Sequence, residues 1–546
     1  MKNIKVLDCT LRDGGRIINC EFEDRITRAI SKELTKANID IVEVGFLRGH
    51  DLVDYKGNST FFTETSQIAK VLPSNRRNTM FTAFIDYNMY DFSKLELCDG
   101  TSIDAIRVGF TKKQFNQNLE DIKKCLLHVK KQGYKLFVQG VNSLSYSDAE
   151  MLKLIKLMNE VQPYSFGIVD TYGAMYLDDI VHYFDIVNYN LDESICIDVH
   201  SHNNFQSSFA FAQDIIGKCA DGKRTLIVDA SLDGMGKGAG NLNTELIIDY
   251  LVRKKNYDYD FDRILDVIDD YITPYADKHK WGYNVPALMS GIYKAHPNNV
   301  IYLTSKYRLM TKDIKNILSM IDPDTRQRYN YDNIERLYVE YSSSKVDDNR
   351  AIDILGKQIQ GKPVLVMAPG ATVNEKRADI VSIIEKEHPF IISVNFVPSF
   401  LKNITIFWGN KKKYMSAKSD QKSCMNIICS NVNNDASDNE ILVNYHSLID
   451  RGNKYFDNST MMLLNLLKRI GVKKIFIAGF DGFDKDKSEN YVNGSFQNNR
   501  YISHFDEVND CIESMMKKYA ESVVGKCDIQ FITPSKYESA VRGRKA

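Results

Sequence analysis

Short apolar runs recur along the first half of the chain, separated by longer stretches with helical periodicity. The runs cover residues 4–7, 41–46, 80–85, 105–110, 135–139, 165–169, 195–200 and 226–230. Each is a strand-length, mainly apolar block. Between them, residues 25–37, 119–131, 148–161 and 207–218 place apolar side chains on one helical face. The spacing of roughly 30 to 40 residues is the rhythm of repeated βα units. Eight such units in about 250 residues predict a closed TIM (β/α)8 barrel rather than an open sheet.

The second half follows another plan. Residues 342–361 are polar and weakly periodic and read as a junction. Strand-like runs then fall at 364–367, 390–394, 404–408, 425–429, 441–444, 474–478 and 529–532. The first leads into Ala368-Pro369-Gly370-Ala371-Thr372 and a helix from about Glu375. That order presents backbone N–H groups to a phosphate. The predicted organisation is a barrel over 1–275, a helical extension and linker over 276–345, and a Rossmann-like open α/β domain over 361–546. The alternative for this last domain is a purely structural or oligomerisation role.

Composition narrows the classes. The 546 residues carry 71 Lys plus Arg against 71 Asp plus Glu, so no global basic field attracts nucleic acid. The runs Lys411-Lys412-Lys413 and Arg253-Lys254-Lys255 read as solvated surface. No stretch reaches the roughly 18 apolar residues needed to span a membrane, and the chain enters its first strand without a signal-like apolar core. Ten cysteines without CxxC pairs argue against both a zinc knuckle and a disulfide framework. The expectation is a cytoplasmic, homo-oligomeric protein.

In a barrel of this kind, chemistry sits just beyond the C-terminal strand ends. Polar residues gather there. Strand one runs out into Arg12-Asp13-Gly14-Gly15, which is either a metal ligand beside an anion clamp or a salt-bridged loop. The second strand carries Glu43, the fourth Arg107, and Gln139 and Asn142 close the fifth. Strand seven ends in His200-Ser201-His202. Residues two apart on a strand point the same way, so these imidazoles can share one ion, the alternative being one core and one surface histidine. Two imidazoles and a carboxylate leave open positions on a divalent metal. Gly236-Lys237-Gly238-Ala239-Gly240-Asn241 is weak evidence for a dinucleotide loop, because no acid about 20 residues on in a βαβ setting accompanies it.

Four separated motifs, Asp8-Cys9-Thr10-Leu11-Arg12-Asp13-Gly14, Val42-Glu43-Val44-Gly45, His200-Ser201-His202-Asn203 and Gly238-Ala239-Gly240-Asn241-Leu242-Asn243-Thr244-Glu245, together resemble the metal-dependent pyruvate and acyl-CoA lyase superfamily. Within it, the stretch from Trp281-Gly282-Tyr283 onward is most similar to 4-hydroxy-2-oxovalerate aldolase. The resemblance implies Asp13, His200 and His202 as ligands of a divalent metal (Mn2+ or Mg2+, with Co2+ or Zn2+ also compatible), and Asn241 as a nearby polar group. It further implies Arg12 as the clamp on a pyruvate enolate, Glu43 as the group orienting Arg12 or a metal-bound water, and Tyr283 as a catalytic tyrosine. The substrates implied are pyruvate and an aldehyde. The family's histidine base is replaced by Arg16, which stays protonated. Either Tyr283, Tyr172 or a metal-bound hydroxide takes the proton, or Arg16 binds an anionic acceptor.

More loosely, Met367-Ala368-Pro369-Gly370, the stretch from Lys474 to Gly482, and Tyr501-Ile502-Ser503-His504 resemble sialyltransferase-like domains that bind cytidine nucleotides. That likeness places Gly370 by phosphates, Asn395 near the nucleotide and His504 at the base position. The tyrosine expected after Gly-x-Asp is Phe483 here. The function implied is a metal-dependent aldolase with a domain holding a CMP- or CDP-linked or sugar-derived substrate in surface-glycan assembly. The alternatives are a bifunctional aldolase and glycosyltransferase, or a non-catalytic barrel scaffolding a nucleotide-binding domain.

Overall fold

The protein is described here from a computed structural model, over residues 3–219, 222–306, 309, 311–342, 346–417, 424–433, 440–450, 452–453, 455–487, 489–493 and 504–541. It comprises two compact units, Met1–Val300 with Pro323–Tyr329, and Ile301–Asp322 with Asn330–Ala546. Residues 276–345, expected as one helical extension, are helical in part and are shared between the two units.

In the first unit, β1 (Ile4–Asp8), β2 (Ile41–Leu47), β3 (Met80–Asp86), β4 (Ala105–Thr111), β5 (Lys135–Val141), β6 (Ser165–Asp170), β7 (Cys196–Ser201) and β8 (Leu226–Ala230) pair in parallel, each with the next. Pairing of β8 with β1 (Ile4 opposite Leu226, Asp8 opposite Ala230) and of β1 with β2 closes the cylinder. An unanticipated two-residue strand, Phe61–Phe62, adds to the far end of β2. The helices bury the faces their periodicity predicts. Asp24–Lys36, for example, buries Thr27, Ile30, Ser31, Leu34 and Thr35. Asp148–Val161 starts on a capping box in which the Ser147 hydroxyl accepts from the Glu150 N–H while the Glu150 carboxylate accepts from the Ser147 N–H.

The barrel interior is stacked in tiers two residues apart, the pleat period of a strand. The lowest tier is apolar: Leu7, Ile41, Ala105, Phe137, Cys196 and Ile227 form one buried cluster. Two positions on, the same strands carry Glu43, Arg107, Gln139, Asp198 and Asp229, all at most 2% exposed. Two further along β7 stands His200. An apolar floor thus supports a charged layer, which supports the mouth.

The second unit contains an all-parallel seven-stranded sheet: β9 (Val364–Met367), β10 (Phe390–Val394), β11 (Thr405–Trp408), β12 (Met425–Cys429), β13 (Glu440–Val443), β14 (Lys474–Ala478) and β15 (Asp528–Phe531). Their order is β13-β12-β11-β10-β9-β14-β15, so strand order reverses between β9 and β14. All ten cysteines are free thiols. Among the described residues, no helix is long and apolar enough to cross a membrane.

Candidate metal centre and a second cavity

Beyond β1 the chain folds into a tight turn: the N–H groups of Arg12, Asp13 and Gly14 all reach the Cys9 carbonyl at 2.8–3.2 Å. The Gly14-Gly15 pair serves close packing here rather than an unusual backbone conformation. A Cβ on Gly14 would stand 3.0 Å from the Met235 carbonyl oxygen. This turn carries Asp13 over the barrel mouth, where it meets the histidines of β7. Asp13 Oδ2 lies 3.9 Å from His200 Nε2 and 3.6 Å from His202 Nε2. The three candidate ligand atoms fall within 4.8 Å of one another.

The donor set fits a divalent cation. Asp13 Oδ2 is buried without a hydrogen-bond partner, and so is Asn241 Oδ1 nearby on the strand bridge to His202. Orphaned buried oxygens of this kind call for an ion or a donor. Burial opposes ionisation of Asp13, but the Arg12 guanidinium and the two imidazoles override it and hold the carboxyl well below the usual range. Burial, reinforced by His200 and Arg12 against the pull of Asp13, pushes His202 down to about 4, so it is a neutral nitrogen donor at neutral pH.

The charged tier holds this geometry in place. His200 Nδ1 lies 3.0 Å from Asp229 Oδ2. A carboxylate there requires the proton on Nδ1, which leaves the Nε2 lone pair facing Asp13. Arg107 donates to Asp229 at 2.6 Å and to Glu43 at 3.3 Å, and lies 3.4 Å from Asp198. Glu43 Oε2 also accepts from Arg12 Nε at 2.6 Å, and Arg12 Nη1 donates to Asp13 Oδ1 at 2.6 Å. Among the described residues no partner is recorded for Arg12 Nη2. Gln139 caps Asp198, whose carboxyl burial pushes up to about 7 despite Arg107. Asp198 and Asp229 were not singled out from sequence. Their signal was a carboxylate in an otherwise apolar strand, in Asp198's case two positions before His200.

One cavity joins these groups, lined by Arg12, Asp13, His200 and His202 together with Arg16, Lys237, Tyr172 and His296. Arg16 is about one-third exposed and stacks over Phe46 at 4.6 Å, with Asp13 at 3.4 Å and Asp86 at 3.8 Å. Asn241 stands just behind the triad, its amide donating to the Met235 carbonyl at 3.1 Å. Tyr283 is 53% exposed and does not line the cavity. Tyr172 does, with its hydroxyl donating to the Gln327 carbonyl at 3.0 Å.

The second unit has its own cavity, at the C-terminal edge of the sheet where β9 and β14 diverge. Gly370 and Asn395 both line it. A Cβ on Gly370 would lie 2.3 Å from the Gly479 carbonyl oxygen, so this approach requires glycine. Asn395 Oδ1 accepts from the N–H groups of Gly409 and Asn410 at 2.9 and 3.1 Å, tying two strand ends together. Lys413, expected as solvated surface, lines the cavity with Phe483 and Tyr491. His504 is exposed and outside the lining. Tyr501, Ile502 and Ser503 lie outside the described residues.

The closed parallel barrel with a carboxylate and two imidazoles at its mouth defines the class: a (β/α)8 domain with a candidate metal site. Residues 3–270 match the HMGL-like family model, and this half of the chain is an HMGL-like domain. The chain is 25% identical over 262 residues to oxaloacetate decarboxylase of Mycobacterium tuberculosis, covering 48% of this chain and 74% of that protein. It is 22% identical over 323 residues to 4-hydroxy-2-oxovalerate aldolase of Moorella thermoacetica, covering 57% and 90%. It is 24% identical over 268 residues to 2-isopropylmalate synthase of a Geobacillus species, where it spans 49% of the relative's length. The superfamily thus includes metal-dependent aldolases and lyases as well as synthases.

Proposed function

We propose that the barrel is a divalent-metal-dependent aldolase, making or cleaving a C–C bond between pyruvate, as its enolate, and an aldehyde. The observation that carries this reading is the orphaned Asp13 Oδ2 facing both imidazole Nε2 atoms, with the Arg12 guanidinium alongside. Asp13, His200 and His202 would hold the cation, which when bound supplies Lewis-acid stabilisation of charge on a keto-acid oxygen. Arg12 spends Nε on Glu43 and Nη1 on Asp13, so Nη2 donates to the enolate oxygen at the point where charge develops. Glu43 and Asp229 fix Arg12 and His200 and touch no substrate. Arg16, at the rim, binds a carboxylate or phosphate on the acceptor. The relatives named for decarboxylating oxaloacetate and for handling 4-hydroxy-2-oxovalerate fit this reading, because both reactions release pyruvate through its enolate.

The test is deuterium exchange into the pyruvate methyl group in D2O, followed by proton NMR. Exchange should require added Mn2+, Mg2+, Co2+ or Zn2+ and stop with chelator. No exchange with any of these metals would overturn the reading.

The second unit supports a companion role: holding a cytidine nucleotide, or a sugar-linked form of one, for surface-glycan assembly. What favours it is the convergence of Gly370 and Asn395 on one cavity at the strand-order reversal, with a lysine and aromatic rings in its wall. Phe483 in place of tyrosine, and the position of His504 outside the lining, favour binding over sugar transfer. Calorimetric titration with CMP and CDP, and incubation with CMP-sialic acid for release of free CMP, separate the two.

A further inference from the structure

His296 has no part in the roles assigned above, yet it lines the same cavity as Arg12 and the candidate metal triad. Its backbone is anchored, the His296 N–H donating to the Arg326 carbonyl at 2.8 Å. Its ring packs against Tyr329 with centroids 5.1 Å apart. Two residues on, the Asn298 backbone N–H donates to His296 Nδ1 at 3.1 Å. A nitrogen that accepts a hydrogen bond carries no proton, so the neutral ring must carry its hydrogen on Nε2. No described residue is recorded as a partner of that Nε2–H. The surroundings keep the ring neutral: burial, and then the positive charges of Lys237 and Arg16, push it down to about 4. Lys237 is itself held next to this segment, with Nζ 3.4 Å from the Asn298 side-chain oxygen.

A neutral imidazole with its acceptor side blocked is a poor base and a good hydrogen-bond donor. Such a group, its charge suppressed, can polarise a carbonyl. Building on the aldolase reading, we infer that His296 is a catalytic electrophile that donates its Nε2–H to the carbonyl oxygen of the aldehyde acceptor. During bond formation the enolate carbon attacks the aldehyde carbon, the C=O π pair moves onto oxygen, and the Nε2–H hydrogen bond stabilises that charge. The oxygen then takes up a solvent proton, balancing the one lost from the pyruvate methyl. In cleavage the hydroxyl proton passes to solvent, the same hydrogen bond meets the same alkoxide, the C–C bond breaks as the C=O re-forms, and the released enolate takes up a solvent proton at carbon to give pyruvate. The family histidine that Arg16 replaces is therefore answered by a donor from another segment, while Arg16 is left to bind the anion.

The test uses the full-length, metal-loaded protein with 4-hydroxy-2-oxovalerate and 4-hydroxy-2-oxoglutarate, which release an uncharged and an anionic aldehyde. His296→Ala should lower kcat for cleavage about 10²-fold, the typical cost of one such donor. His296→Gln, which restores an N–H at the same reach, should recover at least tenfold of that. Pyruvate methyl exchange and bound metal should stay within twofold of wild type in both, because neither involves the acceptor carbonyl. In metal-free protein at pH 7, nitrogen-15 NMR should show His296 as the neutral Nε2–H form. Cleavage by His296→Ala within threefold of wild type, or exchange lost in step with cleavage, overturns this role alone. An Nδ1–H or doubly protonated ring does so whatever the substrate. Wild-type protein without exchange in any metal overturns the aldolase reading and this role together.

Discussion

The cavity at the barrel mouth and the cavity at the sheet edge of the second unit are built on opposite principles. The barrel mouth rests on charge: Arg12, Glu43, Arg107, Asp229, His200 and Asp13 form one chain of short contacts, nearly all sealed from water. The cavity of the second unit rests on backbone. Gly370 lets two strand ends touch, and Asn395 satisfies the peptide N–H groups of a neighbouring turn. A charged scaffold fixes atoms for chemistry at a high desolvation cost, whereas a backbone scaffold shapes a cradle and leaves chemistry to its ligand. The comparison teaches that buried ionic partners, more than the cavity itself, set the two sites apart.

Substitutions can break this contrast, and they rank by expected effect. Arg107→Ala strands three carboxylates in the barrel core and should cost about 3–5 kcal/mol of stability, read as a fall in the denaturant midpoint. Arg12→Ala removes the donor that the aldolase proposal assigns to the enolate and should slow pyruvate methyl exchange about 10²–10³-fold, with the barrel still folded by circular dichroism. Asp229→Asn releases the His200 tautomer and should weaken metal binding about 10–100-fold, measured by titration with Mn2+ followed by electron paramagnetic resonance. Gly370→Ala forces the β9 and β14 ends apart at a cost of about 1–3 kcal/mol. It should abolish CMP binding by calorimetry while leaving pyruvate exchange at its wild-type rate, and a parallel loss of exchange would erase the distinction drawn above. Arg16→Ala should raise KM for an anionic acceptor about tenfold with kcat nearly unchanged. A pure kcat loss would remove Arg16 from acceptor binding.

Much of the barrel was legible because short, mainly apolar runs recur at the spacing of repeated βα units. Against that background, charged residues at strand ends stand out, which is how Asp13, His200 and His202 come into view together. The supporting tier was harder to see. Arg107 and Asp229 sit inside strands, and only the closed cylinder shows that they face each other. His296 was hidden for a different reason. It lies in a segment that reads as generic helix, and its role depends on a backbone N–H two residues away. In the second unit, Gly370 and Asn395 were visible as turn residues, but the part of Lys413 was not, since a run of three lysines carries no sign of which one turns inward.

The tiered interior has a consequence for how such a chain can change. Each strand delivers its floor, charged and mouth residues at fixed steps of two, so inserting or deleting one residue upstream of Asp198 would turn both Asp198 and His200 out toward the helices. The strands therefore admit replacement but not a change of length. New ligands must be accommodated by the rim, in loops such as those bearing Arg16, Lys237 and His296, which can lengthen, shorten or be exchanged while the candidate metal site beneath stays as it is.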